Sequence, residues 1–474
     1  MQDHTVFDLL VIGSGPGGYR AAVLGALRGL TVALVEGGEW GGCCLNRGCV
    51  PKKTWYHTAR LMRAQRHFAE RGVQGQLRAD FNAAWEHQQG VVERIRNSYV
   101  QYLQQLKITA FHGHAEFFDP HRVRVQRGST HEEIRAAHFI IATGSTPTMP
   151  APFKLVPGKI INTDGLFNNP PPSGRRIALI GAGVVAVELA FILTQLGLEV
   201  LWLSRSIPLK KQPFSDSARA LLNQALAEQG VGARQNAVIA QVHWDDGGVR
   251  LHLEDGTVES VDWVCLATGR QPYTRGLGLE RTAIERDAQG FIQRNAYLQT
   301  AHPHIYAIGD VASPWMSANH ALADARVALH NLLHPQQRQA ADVRRIPLVV
   351  YSALEMACIG LNETQAEDLD YEPAVGFTAF SASPCALGQS APEGFVRLLA
   401  DLDTGRLLGG EIVGEQAGEL IHLLSLAPDP NTALAYLAQG RYNHPARAEE
   451  LLNATETLAH QWGLTPWIFG DQPR

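Results

Sequence analysis

Apolar positions fall into two kinds of run along this chain. Val6–Ile12 is almost continuously apolar, which predicts a parallel strand buried on both faces. The turn Gly13-Ser14-Gly15-Pro16-Gly17-Gly18 follows, then a helix reaching about Gly29 and a strand over 31–35. The succession returns later: a strand over 177–180, the turn Gly181-Ala182-Gly183-Val184-Val185-Ala186, a helix over 188–196 and the strand Glu199–Leu203. A Pro-rich stretch over 170–174 precedes this second copy. From Ile346 the pattern changes to short alternating strands, such as 395–400 and Leu407–Val413, and then to helices. The predicted class is α/β: two Rossmann-like units in tandem, followed by an α+β unit.

Each glycine turn sits between a strand and a helix, where a backbone free of side chains lets a pyrophosphate approach a helix N-terminus. Glu36, 23 positions after Gly13, is placed to bind a ribose hydroxyl pair. Gly13, Gly15, Gly18 and Glu36 thus predict one dinucleotide site, and Gly181 and Gly183 a second. In the second copy the same offset lands on Ser204, with Arg205, Lys210 and Lys211 after it. An acid there would repel a 2′-phosphate, and Arg and Lys attract one, so the spacing favours NADP(H) over NAD(H).

The chain has 474 residues, enough for two to four domains. A net charge of −5 gives no sign of a nucleic-acid or membrane partner, and no uncharged apolar stretch of eighteen residues occurs. The first strand begins almost at once, so no leader is expected and a cytoplasmic location is. Of six cysteines only Cys43, Cys44 and Cys49 cluster, in Gly42-Cys43-Cys44-Leu45-Asn46-Arg47-Gly48-Cys49-Val50-Pro51-Lys52-Lys53. Cys44 and Cys49, with four residues between them just after a nucleotide-binding unit, read as a reversible redox pair rather than a structural bridge. A helix is predicted over 52–66. Arg47, Lys52 and Lys53 supply cations that lower thiol pKa, and Gly48 can absorb the distortion that brings the sulfurs together. No metal-ligand set is expected.

This segment and several others resemble the flavin-dependent pyridine nucleotide–disulfide oxidoreductases: dihydrolipoyl dehydrogenase, glutathione reductase and mercuric reductase. Ala142-Thr143-Gly144-Ser145 and Ala267-Thr268-Gly269-Arg270 resemble the family's crossings between its two nucleotide domains. Gly309-Asp310 resembles the second FAD motif, whose Asp binds the ribityl chain, and His114-Ala115 the stretch whose backbone contacts the adenine. His444-Pro445-Ala446-Arg447-Ala448-Glu449 resembles the family's His-Pro-x-x-x-Glu.

The resemblance implies FAD in the first fold and a nicotinamide cofactor in the second. It implies Cys44 as the thiol that meets substrate and Cys49 as the thiol facing the flavin. Lys52 or Lys53 would pair with Glu188 beside the flavin. His444, oriented by Glu449, would be the acid–base group. Arg205 and Lys211 match two basic residues of glutathione reductases. The implied domains are 1–149 and 286–345 for FAD, 150–285 for NAD(P), and 346–474 for dimerisation. In this family the His–Glu dyad enters the partner's site, so a homodimer is implied, acting on a small-molecule or lipoyl-protein dithiol or disulfide.

Substrate signals divide. Cys44-Leu45-Asn46-Arg47-Gly48-Cys49, Val184 and Ala417-Gly418-Glu419-Leu420-Ile421 look like dihydrolipoyl dehydrogenase. Val50-Pro51-Lys52-Lys53-Thr54-Trp55, Tyr99 and Arg326 look like glutathione reductase, but Ala21 stands where a glutathione-contacting Arg would be. The tail after Gly470 lacks the cysteine pair usual in mercuric reductase, and Cys43 replaces a usual Thr. The reading is dihydrolipoyl-type chemistry, with reduction of a low-molecular-weight disulfide as the alternative. The other class kept open is a flavoprotein redox sensor or docking subunit.

Overall fold

The computed structural model describes residues 6–427 and 429–470. The tail beyond Gly470, whose lack of cysteines was read above, lies outside the described residues, as do the five residues before the first strand. Four parallel strands form one side of the first sheet, in the order Thr109–His112, Val32–Glu36, Val6–Ile12, Thr130–Ile141, with the first at the edge. Ile305–Ala307 also pairs with the last of these, and an antiparallel meander of His114–Asp119 and Arg122–Arg127 extends the sheet. Leu9, Leu10, Val11 and Ile12 are buried, as a strand covered on both faces requires.

The second unit repeats the plan in five parallel strands: Ala233–Arg234, Glu199–Leu203, Arg176–Ile180, Trp263–Leu266 and Ile160–Asn162. A three-stranded antiparallel sheet of Ile239–Asp245, Gly248–Leu253 and Val258–Val261 accompanies it. The third unit is an antiparallel five-stranded sheet in the order Leu348–Tyr351, Glu355–Gly360, Leu407–Val413, Phe395–Asp401, Pro373–Ala379. The helix Glu449–Trp462 packs on its outer strand at Gly376, where a Cβ would lie 2.2 Å from Ala454 O.

Both connections between the first two units run together, as Ser145–Pro147 paired antiparallel with Arg270–Pro272. The chain re-enters the first unit before the expected boundary near Arg286. Leu277, Leu279 and Ile284 already pack with Phe117 and Phe139, and Phe117 N donates to Leu277 O at 2.8 Å. Those residues join the core singly from an irregular segment, so no periodicity announces them. Trp55 of the first unit, Phe167 and Phe191 of the second, and Val350 and Val413 of the third share one buried cluster. No helix among the described residues is long and apolar enough to cross a membrane.

Candidate active site

The two glycine turns and the cysteine segment open on one cleft of about 2090 Å³ between the three units. In the first turn Gly13 has φ +99° and a Cβ there would lie 2.4 Å from Ala142 O. A Cβ on Gly18 would lie 1.8 Å from Gly13 O, so only glycine lets the helix Pro16–Leu27 approach its strand this closely. Glu36 Oε2 accepts from Ser14 N at 2.8 Å and Ser14 Oγ at 2.6 Å, and Gly38 N donates to Oε1 at 2.7 Å. In the second turn a Cβ on Gly181 would lie 2.2 Å from Ala267 O. Ser204, at the place of the acid, is buried and donates to Ser206 O at 2.9 Å. Arg205, Lys210 and Lys211 are exposed on the cleft wall.

The cysteine segment is two helices rather than one. Gly42–Arg47 ends at Gly48, whose φ −139° and ψ −109° are neither helical nor extended, and Cys49–Ala64 begins directly after it. The second helix starts three residues earlier than the periodicity predicts, which puts Cys49 at its N-terminus. All six cysteines are free thiols here, and the Cys44 and Cys49 side chains are close neighbours. The Cys44 thiol, with Lys52 helping against burial, holds the Cys49 thiol below its ordinary pKa. The Cys49 neighbour and burial push Cys44 up. The two thiols are therefore shifted in opposite directions, Cys49 being the more acidic.

Lys52, not Lys53, forms the ion pair with Glu188, which is 1% exposed. Burial opposes the Lys52 charge, but Glu188 and Cys49 outweigh it and raise its pKa. The other Glu188 oxygen accepts from Tyr351 N at 2.8 Å. Lys53, one residue on, turns to the Tyr351 ring, 2.9 Å from its centroid, and burial lowers its pKa.

Around Cys44 the cations are engaged. Arg47 bonds Asp164 at 3.1 Å and Glu39 at 3.5 Å, and Arg96 bonds Glu39 at 3.3 Å. Arg270 continues the network to Asp164 at 3.1 Å and to Ser145 Oγ at 2.7 Å, and Ser145 Oγ donates to Asp310 at 2.6 Å. Burial pushes Asp310 up, against Ser145 and Arg270. Cys43 lies near Arg270 and Asp164, and burial pushes its thiol to about 11. Tyr99 stacks on Tyr19, centroids 4.1 Å apart, and burial with the nearby Cys44 raises its pKa. Arg326 is exposed on the helix Ala318–Leu333 and does not line the cleft.

His444 and Glu449 lie elsewhere. Nδ1 of His444 is 2.9 Å from Glu449 Oε1, and Ala446 N donates to Glu449 Oε2 at 2.7 Å. These contacts, the Ala446 N–H first, hold Glu449 below its ordinary pKa. His444 is 73% exposed and not part of its own chain's cleft. The carboxylate fixes which ring nitrogen carries the proton and leaves Nε2 without a hydrogen-bond partner among the described residues.

The cleft thus gathers Gly13, Gly15, Glu36, Cys44, Cys49, Lys52, Lys53, Ala115, Thr143, Gly144, Asp310, Gly181, Gly183, Glu188, Arg205, Lys211 and Gly269. Gly18 is spent inside the turn, and the His–Glu pair stands apart. Asp164 and the Tyr351 amide were missed. Neither carries a sequence signal, since each acts through a contact more than a hundred positions away. The close-packed glycine cradle, the Glu36 carboxylate and the half-buried Asp310 fit FAD, which Gly13, Gly15, Glu36 and Asp310 would hold.

Residues 7–325 match the pyridine nucleotide-disulphide oxidoreductase family, and residues 346–455 match that family's dimerisation domain. The chain is 35% identical over 462 residues to dihydrolipoyl dehydrogenase of Thermus scotoductus, covering 96% of this chain and 98% of that one. It is 30% identical over 468 residues to dihydrolipoyl dehydrogenase 3 of Haloarcula marismortui, covering 95% and 96%. Among solved structures it resembles the HOCl-induced flavoprotein disulfide reductase RclA of Escherichia coli, with a TM-score of 0.81, 26% identity, and coverage of 95% of this chain and 99% of that chain. LpdA of Mycobacterium tuberculosis shares the fold, with a TM-score of 0.88 at 22% identity and the same coverage.

The polarised thiols give a direct test. Lys52→Met removes the cation facing Cys49, so the pH at which Cys49 is alkylated in the reduced protein should rise, as read by mass spectrometry of the modified peptide. It also strands a buried carboxylate, which costs roughly 3–5 kcal/mol of stability. Lys52→Met/Glu188→Leu should recover most of that loss in denaturant unfolding. An unshifted Cys49 profile would contradict the assigned polarity.

Proposed function

The chain belongs to the pyridine nucleotide-disulphide oxidoreductase family, an FAD-dependent oxidoreductase acting on dithiols and disulfides, and from that premise we propose that it oxidises a dihydrolipoyl-type dithiol through Cys44 and Cys49, with NADP(H) as its nicotinamide. The observation that carries this reading is the Cys44 and Cys49 thiol pair at the broken helix, with the Lys52–Glu188 ion pair beside it. FAD held in the glycine cradle supplies the two-electron exchange between this pair and the nicotinamide.

In the oxidised enzyme the substrate's first thiolate attacks Cys44 Sγ. The Cys44–Cys49 bond breaks, a mixed disulfide forms, and Cys49 leaves as a thiolate stabilised by Lys52. The second substrate thiol gives its proton to His444 of the partner subunit and closes on the first sulfur, releasing Cys44. Glu449 keeps Nε2 of that imidazole free to take the proton. The product is a cyclic disulfide; Cys44 leaves as a thiolate that takes the proton back from the imidazole, and the enzyme holds the Cys44 thiol and the Cys49 thiolate.

Two features favour an uncharged dithiol over a peptide disulfide rich in carboxylates. Arg47 and Arg96 are already neutralised by Glu39 and Asp164. The Tyr19–Tyr99 stack offers an aromatic wall beside Cys44. At the nucleotide end the balance reverses: Arg205, Lys210 and Lys211 carry no ion pair among the described residues, and no acid stands at Ser204 to repel a 2′-phosphate.

Turnover with lipoamide and with glutathione disulfide, each with both nicotinamides, tests the substrate. Lipoamide should be the faster by at least about tenfold, and Cys44→Ser and Cys49→Ser should each abolish turnover. Faster reduction of glutathione disulfide would refute the dihydrolipoyl reading.

For the coenzyme, Arg205→Ala should raise KM for NADPH and spare NADH. One charge-assisted contact is worth roughly 1.5–3 kcal/mol, about ten- to a hundredfold. A wild type that strongly prefers NADH would overturn the assignment.

The shared site is tested by co-expressing Cys44→Ser and His444→Ala chains under different tags. Doubly purified mixed dimers carry one complete site of two and should show about half of wild-type activity, while each parent is inactive. Inactive mixed dimers would exclude a site built from both chains.

A further inference from the structure

The loop carrying His444 is tied to its own unit by a buried guanidinium that makes no direct ion pair among the described residues. Arg447 stands between His444 and Glu449 and is 2% exposed. Its Nε donates to Gln389 Oε1 at 2.8 Å, and its Nη2 donates to Ala391 O at 2.6 Å. The guanidinium lies 4.8 Å from the Phe380 ring centroid. Nη1 has no hydrogen-bond partner, and burial lowers the pKa of the group. Burying a charge without a direct ion pair is costly, and an apolar side chain of similar volume would fill the space without that cost. What the guanidinium adds is direction. Its planar fork is fixed by two acceptors in the 389–391 segment, so the backbone at 447 has one placement.

That placement passes to the imidazole. Glu449 closes the loop on both sides of Arg447, accepting from Ala446 N and bonding His444 Nδ1. A shift at 447 therefore moves both the histidine and the group that orients it. We propose that Arg447 is a positioning residue for His444, holding the exposed imidazole at the reach and angle that the thiol–disulfide step requires. The inference rests on reading His444 as the acid–base group. A displacement of about an ångström at such a group can cost about a hundredfold in rate.

The test uses the holoenzyme with Arg447→Met, Gln389→Ala, His444→Ala and Arg447→Met/His444→Ala. Methionine keeps the apolar contact with Phe380 and removes both directed bonds. Turnover of the dithiol should fall about ten- to a hundredfold in Arg447→Met, while rapid reduction of the bound flavin by the nicotinamide stays within about twofold of wild type. The double variant should be no slower than His444→Ala, because the anchor has nothing left to position. Gln389→Ala, which leaves the arginine in place, should lose several-fold in the same step, and it decides the matter if Arg447→Met does not fold. Wild-type turnover in the variant that folds overturns the inference. So does a double variant lower than His444→Ala by the full Arg447→Met factor. If His444→Ala itself turns over like wild type, the acid–base reading fails first and takes the inference with it.

Discussion

Glu188 is the point on which the site turns. It comes from the second unit, is almost wholly buried, and has two partners from two other units: Lys52 Nζ from the cysteine helix and Tyr351 N from the third sheet. A carboxylate in such surroundings is tolerable only if both oxygens are engaged. Satisfying Glu188 therefore fixes the cysteine helix against the other two units. It also places the Lys52 cation near Cys49, where it adds to the neighbouring Cys44 in lowering that thiol's pKa. Packing supports this geometry, but only the ion pair specifies which lysine faces inward.

Much of this was legible in residue order. The glycine turns, their acid or lack of one at a fixed offset, and strands such as Val6–Ile12 and Glu199–Leu203 follow from local constraints that a sequence states outright. The choice between Lys52 and Lys53 was not legible. Neighbours on a helix point about 100° apart, and the partner that decides between them is 136 positions away. The return of the chain to the first unit was misplaced for a related reason. Leu277, Leu279 and Ile284 enter the core one at a time, without the period that marks a strand or helix. Arg447 was hidden because an arginine near a catalytic motif reads as a surface residue. Only the fold shows that it is buried.

The cleft is electrically lopsided. Where the thiols meet substrate, each arginine is bound to a carboxylate, and the chain from Glu39 through Arg47, Asp164 and Arg270 to Ser145 and Asp310 leaves little charge uncompensated. Where the second nucleotide fold opens, three cations stand exposed. The same residue types thus do different work at the two ends. Paired, they set the shape of a wall; unpaired, they set the sign of a field.

The cluster shared by Trp55, Phe167, Phe191, Val350 and Val413 bears on how the chain melts. Three units with separate sheets would ordinarily be separate folding units. Here none can open without exposing large aromatic faces that belong equally to its neighbours. Local opening free energies in the three sheets are thereby pulled toward one another, and three architectural pieces behave as one cooperative body.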